Sequence, residues 1–297
     1  MNVLSLFDGM SCGRIALDRA GIKVDNYFAS EIDKYAISVS KHNYPDIKHI
    51  GDVTQVKASD LPKIDLIIGG SPCQGFSFAG KQLNFNDPRS VLFFEFVRIL
   101  KEIREYNPNV LFLLENVKMK KEYQDVISEQ MGVEPIKINS ALVSAQNRER
   151  LYWSNITVSP LADKGILLKH IVEDGFVDRD KSLALTTRIA GATLDRYVSK
   201  SHHQIVFLGN VNPSGKGMNG NVYGIDGKSP TLTTREPKIA VDGKHWRKLT
   251  PLECERLQTV PDNYSATVSN SQRYKMLGNG WTVDVIAEAF FKHLDLY

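Results

Sequence analysis

The sequence predicts an α/β protein whose sheet is mixed and mostly parallel, with helices on both faces and a small inserted domain. Short apolar runs alternate with segments whose apolar residues recur at helical spacing through the first half of the chain. From about residue 173 this periodicity fades, and glycine, asparagine, serine, threonine and basic residues dominate until the pattern returns near the end. These observations predict a doubly wound core interrupted by a separate domain. We place the two domains at 1–173 with 272–297 and at 174–271.

The composition is that of an ordinary globular protein. Of its 297 residues, 42% are hydrophobic and 24% are charged, which is enough for a sizeable core. No apolar run reaches the roughly 20 residues of a membrane helix, and the N-terminal residues lack the basic start of a secretory signal. We therefore expect a cytoplasmic protein. The net charge of +3 is compatible with a polyanionic partner but does not require one.

The cysteines and histidines argue against disulfide and metal chemistry. The three cysteines, Cys12, Cys73 and Cys254, are scattered and odd in number, which supports neither a disulfide framework nor a zinc site. The seven histidines show no metal-ligand spacing. We therefore expect no bound metal.

The chain opens with a predicted strand at 3–7, a glycine-bearing turn at 8–13 and a helix that Gly21 ends. Such a turn suits a nucleotide-like ligand, and the absence of G-x-G-x-x-G disfavours a dinucleotide. Glu31 follows the second strand about 20 residues later, where doubly wound folds place an acid on ribose hydroxyls. Asp52 follows the third strand and could accept from an adenine amino group. Each acid, taken alone, could instead cap a helix.

A cysteine stands where the apolar run 64–68 ends, in the motif Gly70-Ser71-Pro72-Cys73-Gln74. A thiolate adds readily to an electron-poor carbon, and a turn at a strand end exposes it. Taken alone, a free cysteine is more often a small buried hydrophobic residue. The polar loop 78–90 follows, and its length is typical of a mobile lid. We predict the next helix at 91–103.

Two further polar motifs follow. The apolar strand predicted at 109–114 stops at Glu115, and a carboxyl group at the mouth of a strand can donate a proton or a hydrogen bond. Gln146, Arg148 and Arg150 alternate, so we expect them on one face of a single extended strand. Two arginines on one face need an anion or a carbonyl group to bind, although a surface salt-bridge ladder would show the same pattern.

The region 174–271 contains two similar stretches, 181–188 and 228–235, which end in Arg188 and Arg235. Their hydroxyl and guanidinium groups are the kind that contact phosphates and base edges. A flexible linker would have a similar composition.

Regular structure is predicted again at the end of the chain. Thr250, Pro251 and Glu253 form the signature of a capped helix. A glycine turn at 277–283 precedes an apolar helix predicted at 285–294. This turn resembles the opening one, and we expect both to face one ligand.

Taken in order, these motifs resemble those of the DNA cytosine-5 methyltransferase family across nearly the whole chain. Residues 7–13 resemble the first S-adenosylmethionine motif, Pro72-Cys73-Gln74 the catalytic turn, and Glu115-Asn116-Val117 the Glu-Asn-Val element. The later motifs are matched by Gln146-x-Arg148-x-Arg150, by 247–257 and by Gly278-Asn279. Two segments depart from the usual pattern, Ser11-Cys12-Gly13 and Gly280-Trp281.

The resemblance implies a Rossmann-like, S-adenosylmethionine-dependent methyltransferase core with an inserted target-recognition domain. The expected catalytic residues are Cys73, Glu115, Arg148 and Arg150. The expected cofactor-binding residues are Phe7, Asp8, Gly9, Met10, Ser11, Glu31, Ile32, Asp52, Val53, Pro72, Leu92, Asn279 and Trp281. The expected DNA-contacting residues are Gln74, Ser77, Arg89, Asn116, Gln146, Arg188 and Arg235.

The implied reaction is methyl transfer from S-adenosylmethionine to carbon 5 of a cytosine in a specific duplex DNA sequence, through a covalent Cys73 adduct on a flipped-out base. S-adenosylhomocysteine would be the product. A tRNA methyltransferase and an inactive DNA-binding scaffold are the alternatives; tRNA-acting relatives usually carry a Cys-Phe-Thr element, which is absent between 173 and 246. We expect a bacterial or phage-encoded monomer on double-stranded DNA, with no membrane association and with any cognate restriction endonuclease acting separately.

Overall fold

The computed structural model describes residues 1–72, 88–173, 207–210, 221–223, 229–230, 238–241 and 245–294, with side chains left out at 88–91 and 207–248. The chain forms two compact units. The first comprises 1–139, 149–160 and 283–297, and the second comprises 140–148 and 161–282. Much of the predicted recognition domain lies outside the described residues, so the boundaries at 173 and 271 stay predictions.

Seven strands of the first unit form one sheet. In chain order, they are β1 (Asn2–Leu6), β2 (Asn26–Ser30), β3 (Lys48–Gly51), β4 (Leu66–Gly69), β5 (Leu111–Val117), β6 (Ile136–Asn139) and β8 (Glu149–Ser154). Strand β7 (Gln146–Asn147) belongs to the second unit and is not part of this sheet. Their order in the sheet is β3-β2-β1-β4-β5-β8-β6. The five strands from β3 to β5 are parallel, and β8 is antiparallel to both β5 and β6. The predicted mixed, mostly parallel sheet is confirmed.

Helices cover this sheet and bury its apolar side chains. The helices of the first unit are α1 (Cys12–Arg19), α2 (Lys34–Asn43), α3 (Pro88–Tyr106), α4 (Lys121–Met131) and α7 (Val283–Val285), which continues as the π-helix Ile286–Phe291. Between α4 and α7 the chain forms α5 (Pro251–Leu257) and α6 (Asn270–Asn279), which belong to the second unit. Leu4, Ile67 and Phe112 stand side by side on β1, β4 and β5 and belong to one buried core with residues of α3 and α4. The ring of Tyr152 packs against the ring of Phe290 on the terminal helix, with 5.1 Å between the two ring centroids. Burial of this sheet from both sides stabilises the unit.

The second unit is built around α5 (Pro251–Leu257) and α6 (Asn270–Asn279). The predicted capping box is present, because the Thr250 hydroxyl accepts from the Glu253 amide and the Glu253 carboxylate accepts from the Thr250 amide. The remaining strands are β9 (Phe207–Asn210), β10 (Asn221–Tyr223), β11 (Ser229–Pro230), β12 (Lys238–Val241) and β13 (His245–Lys248). Four of them form a sheet in the order β13-β12-β10-β9, and β11 pairs with β7.

Several sequence-based expectations differ from the structure, among them the turn predicted at 277–283, because residues 277–279 belong to the helix Asn270–Asn279. Strand β5 continues through Val117 because its last residues pair with β8, and α3 is already helical at Pro88. The single strand predicted to carry Gln146, Arg148 and Arg150 is wrong. The chain forms two strands there, because β7 pairs with β11 while β8 pairs with β5 and β6.

None of the helices in the described parts of the chain combines the length and the apolar character that a membrane span needs.

Candidate active site

The predicted site residues of the first unit lie where its parallel strands end. The carboxyl ends of parallel strands share one edge of the sheet, and ligands of open α/β sheets bind in the crevice beside the strand where the order reverses. Here the chain runs outward from β1 to β2 and β3 and then returns to β4 on the other side of β1. The segments that follow β1, β2, β3 and β4 therefore meet at this edge, together with the end of β5.

The segment after β1 has an unusual backbone. Phe7, Gly9 and Ser11 have φ angles of 57°, 61° and 66°, so two of its three left-handed residues carry a side chain. Such conformations cost energy and concentrate at ligand sites. A Cβ atom on Gly13 would clash with the Ile68 side chain and would lie 3.0 Å from the hydroxyl of Tyr27. The glycine therefore lets α1 begin directly against the sheet.

Glu31 is fixed by the backbone around it. One carboxylate oxygen accepts from the Gly9 amide, and the other accepts from the amides of Ile32 and Asp33, all at 2.8 Å. Three donors hold the carboxylate in one orientation beside the β1 segment. The Ile32 side chain next to it is 75% exposed, so an apolar surface is available beside a fixed acceptor. The Glu31 carboxylate suits the hydroxyl groups of a ribose, and the exposed Ile32 side chain suits the base attached to it.

Asp8 is a buried carboxyl group within the same segment. Its two oxygens accept from the Ser11 hydroxyl at 2.5 Å and from the Tyr27 hydroxyl at 2.8 Å. The Ser11 hydroxyl also bonds to that of Ser40 at 2.6 Å, and Ser40 contacts a ring nitrogen of His49 at 3.3 Å. Burial raises the pKa of Asp8 to about 6; the hydroxyl groups oppose this shift and the nearby Glu31 carboxylate adds to it. Sequence patterns gave no indication of this chain of polar groups.

Two further predicted cofactor residues lie at 52–53, and one lies at position 10. Asp52 is exposed and caps the short helix Val53–Gln55, because one of its oxygens accepts from the amide and the hydroxyl of Thr54, both at 2.9 Å. Val53 and Met10 are buried. The capping role weighed for Asp52 is therefore present, and it leaves the second oxygen without a partner among the described residues.

The segment after β4 is held by β5. The Asn116 side-chain amide donates to the Ser71 hydroxyl at 3.2 Å, and both residues are buried. Pro72 follows at the margin of the described chain, and Leu92 is half-buried on α3 against the core. The structure thus gives Asn116, predicted to contact DNA, a contact to the start of the Pro72-Cys73-Gln74 turn. Among the predicted site residues, Cys73, Gln74, Ser77, Arg188 and Arg235 and the side chain of Arg89 lie outside the described residues.

Glu115 and Arg150 form an ion pair on one face of the sheet. Arg150 lies opposite Val117 in the antiparallel register, so Glu115 is its diagonal neighbour. The Nε atom of Arg150 lies 2.9 Å from Oε1 of Glu115, at an angle outside hydrogen-bond geometry, and Nη1 donates to the Glu149 carbonyl at 2.8 Å. Each side chain is only about one-tenth exposed, with relative exposures of 11% for Glu115 and 12% for Arg150. The sequence predicted both residues but not their contact.

The other predicted residues lie in the second unit. The guanidinium group of Arg148 is buried and donates to the carbonyl oxygens of Gly278 at 3.3 Å and Gly280 at 2.9 Å. The buried amide of Gln146 donates to the side chain of Gln258 at 3.2 Å. Gln258 donates in turn to the Gly280 carbonyl at 3.1 Å. These side chains hold the C-terminal end of α6, which contains Asn279 and is followed by Gly280 and Trp281.

Gln258 is a residue that sequence reasoning missed. It follows the last residue of α5, and its side chain also accepts from the Thr282 hydroxyl at 2.9 Å. The only signal in the sequence was a glutamine at the predicted end of the capped helix. The described parts of the chain contain no cluster of His, Cys, Asp and Glu that could hold a metal ion.

Comparisons with known proteins agree with this arrangement. The family model "C-5 cytosine-specific DNA methylase" matches residues 1–294. The type II methyltransferase M1.ScrFI of Lactococcus lactis subsp. cremoris is 34% identical over 99% of this chain and 78% of its own length. The type II methyltransferase M.HhaI of Haemophilus parahaemolyticus is 30% identical over 96% of this chain and 92% of its own.

A solved structure confirms the fold. The methyltransferase EhMeth of Entamoeba histolytica aligns with a TM-score of 0.70 and 16% identity, covering 100% of this chain and 99% of that one. The family match is independent of the geometry above and agrees with it. This chain therefore belongs to the family of C-5 cytosine-specific DNA methylases and is a DNA cytosine-5 methyltransferase.

Proposed function

We propose that this enzyme methylates carbon 5 of a cytosine within a specific duplex DNA sequence, through a covalent bond between Cys73 and a flipped-out base. One observation carries the proposal. Strands β4 and β5 are parallel neighbours, with Gly69 opposite Leu114. The segment that leads to Cys73 therefore starts at the same edge of the sheet at which the Glu115–Arg150 pair lies. A nucleophile and a polar pair from adjacent strand ends can engage two sides of one ring.

The chemistry requires an attack that changes the electronics of the ring. Carbon 5 of cytosine is a poor nucleophile. The Cys73 thiolate adds to carbon 6, a carbon–sulfur bond forms, and the electron pair of the C5=C6 bond moves into the ring and makes carbon 5 nucleophilic. In its protonated form, Glu115 donates its proton to ring nitrogen 3, and Arg150 hydrogen-bonds to the carbonyl oxygen, so the charge that develops on the ring is neutralised.

The second half of the reaction restores the ring. After carbon 5 has taken the methyl group, a base removes the proton from that carbon, the C5=C6 bond re-forms and the Cys73 thiolate leaves. A base stacked inside a duplex cannot reach these groups, so the cytosine must be flipped out of the helix. The loop 78–90 would close over it, with Arg89 on a phosphate and with Gln74 and Ser77 near the base.

The residues at the sheet edge fit S-adenosylmethionine, which supplies an electrophilic methyl group when bound. Glu31 would bind the ribose hydroxyls, because its carboxylate is already oriented by three amides. The free oxygen of Asp52 would accept from the adenine amino group, beside the exposed Ile32. The remaining contacts would come from Phe7, Gly9, Met10, Ser11, Val53, Pro72, Leu92, Asn279 and Trp281.

Replacing Glu31 with glutamine is expected to weaken S-adenosylmethionine binding by at least about tenfold. The amide would replace one acceptor oxygen with a donor, which opposes the amide it now faces and presents the wrong group to a ribose. Isothermal titration calorimetry would measure the change. Glu129→Gln, an exposed change on α4, is the matched control. Equal affinities for Glu31→Gln and wild type would contradict the assignment.

Replacing Arg148 with lysine and replacing Arg150 with lysine are expected to change different kinetic constants. Arg148, predicted as catalytic, bridges the carbonyl groups of Gly278 and Gly280 at the C-terminal end of α6, and we infer that it positions this end of the helix. Lysine cannot bridge them in the same geometry. Arg148→Lys should therefore raise the KM for S-adenosylmethionine about tenfold with little change in kcat. Arg150→Lys should mainly lower kcat, and steady-state kinetics that show the same pattern for both variants would refute the distinction.

Incubation with methyl-labelled S-adenosylmethionine and either duplex DNA or tRNA, followed by mapping of the modified cytosines, tests the function itself. We expect label in DNA at one sequence. Label in tRNA alone would favour the tRNA alternative, and no transfer despite DNA binding would favour an inactive scaffold. We further infer that the enzyme acts as a monomer, in a bacterial or phage-infected cytoplasm, and that residues 174–271 with Arg188 and Arg235 read the target.

A further inference from the structure

Asp8 has no cationic partner. Its side chain is buried in the segment between β1 and α1, and no lysine, arginine or histidine among the described residues forms an ion pair with it. Its side-chain hydrogen-bond partners, Ser11, Tyr27 and Ser5, are all neutral hydroxyl groups. A buried carboxylate without a compensating cation is costly. A serine or an alanine would avoid this cost at the same place.

The surroundings make the negative charge more costly. Among the described residues, the charged group that acts on Asp8 is the carboxylate of Glu31, which is also negative. The other titratable groups on β2 and β3 are Tyr27, which donates to Asp8, His49, which connects through Ser40 and Ser11 and whose own pKa is lowered by burial and by Lys41, and Lys48, which is exposed and donates to Asn26. In the described part of the chain, two carboxyl groups thus face one segment without a cation paired to Asp8.

The proposed cofactor would supply the missing charge. S-adenosylmethionine carries a positive sulfonium group, whereas the product S-adenosylhomocysteine has a neutral thioether at the same atom. The two ligands are otherwise alike, so they differ by one unit of charge. A buried negative group near the cofactor segment acts at high strength on that difference, since the local dielectric is low.

We propose that Asp8 determines specificity for the substrate form of the cofactor over the product form, by favouring the sulfonium cation electrostatically. This inference rests on the proposed function, because it requires S-adenosylmethionine to bind at the β1 segment. Its consequence for turnover is direct: once the methyl group has been transferred, the attraction is lost and the product dissociates more readily.

The preference should depend on pH. Because the pKa of Asp8 is raised to about 6, the group is largely neutral at pH 5 and ionised at pH 7. The same raised pKa means that Asp8 favours the folded state at low pH and that this contribution is lost as the pH rises through about 6. A bound cation favours the ionised form, so binding of S-adenosylmethionine near pH 6 should release a proton by reciprocity. Binding of the homocysteine form should release much less.

Calorimetric titration of each ligand between about pH 5 and about pH 7 tests the proposal, because the amino and carboxyl groups of both ligands keep their charge over that range. For the wild type, the affinity for S-adenosylmethionine divided by the affinity for S-adenosylhomocysteine is expected to rise about fivefold to tenfold between about pH 5 and about pH 7. Asp8→Asn should show a ratio that is low and independent of pH. Asn can keep the contacts to Ser11 and Tyr27, because both hydroxyl groups can rotate to accept.

Tyr27→Phe provides a second variant that keeps the charge. Loss of its hydrogen bond to the ionised form should move the midpoint of the pH dependence upward without removing the preference. Repeating the titrations in buffers of different ionisation enthalpy gives the number of protons released. A wild-type ratio that does not change with pH, or an Asp8→Asn ratio equal to that of wild type at pH 7, would overturn the inference. Failure of wild type to bind either ligand would instead refute the proposed cofactor site.

Discussion

Replacement of Cys73 with alanine is expected to lower methyl transfer to duplex DNA by at least about a thousandfold, the scale on which loss of a catalytic nucleophile acts. Alanine cannot form the bond to carbon 6, so carbon 5 never becomes nucleophilic. Binding of S-adenosylmethionine should change little. Transfer of labelled methyl groups measures the first effect and calorimetry the second.

Cys254→Ala is the matched control for this variant. Cys254 is 1% exposed on α5, and burial raises the pKa of its thiol, so it cannot serve as a nucleophile. A duplex with 5-fluorocytosine at the target position adds a second readout, because an adduct with fluorine at carbon 5 has no proton to lose there. Wild type and Cys254→Ala should form a stable protein–DNA conjugate, and Cys73→Ala should not. Turnover retained by Cys73→Ala would refute the mechanism.

Replacement of Glu115 with glutamine is expected to lower kcat by about a hundredfold to ten-thousandfold, the range of general acid catalysis. Glutamine can still place an oxygen beside Arg150 and hydrogen-bond to the ring, but it cannot donate a full proton to nitrogen 3. The dissociation constant for S-adenosylmethionine should stay within about threefold of wild type, because Glu115 is proposed to contact the base. Single-turnover kinetics and calorimetry separate the two quantities.

Glu122→Gln, an exposed change on α4, is the control for Glu115→Gln. A second comparison uses the adduct: Glu115→Gln should form the conjugate with the 5-fluorocytosine duplex slowly, since addition of the thiolate needs the proton at nitrogen 3. If cofactor affinity and kcat fall by equal factors, Glu115 supports the cofactor site and does not act on the base.

Local patterns predicted most of the first unit and, in the second unit, the start of α5. Strands β1, β4 and β5 are apolar runs of the length that buried parallel strands require, and α2 and α5 carry their capping residues, Asp33 and Thr250, in the sequence. The predicted strand ends therefore carried Glu31, Asp52 and Glu115, each at the carboxyl end of its strand. Those predictions depended only on neighbours along the chain.

The features that sequence reasoning missed depend on partners distant in the chain. Arg148 and Arg150 look equivalent at alternating positions, yet Arg148 binds the C-terminal end of α6 and Arg150 lies against Glu115. The Asp8 environment joins the segment after β1 to residues of β2 and α2, and the amide of Gln258 finds its acceptors 19 to 22 residues later. Pairing between strands and hydrogen bonds to distant carbonyl groups produce no periodic pattern in the amino-acid sequence.

The close approach of α1 to the sheet at Gly13 restricts which amino-acid substitutions this protein can accept there. A methyl group at that position would meet the end of the Ile68 side chain on β4, so a residue larger than glycine requires the Ile68 side chain to rotate or to become smaller. The effects of substitutions at positions 13 and 68 on stability should therefore not be additive. A smaller residue at position 68 should make alanine at position 13 less costly.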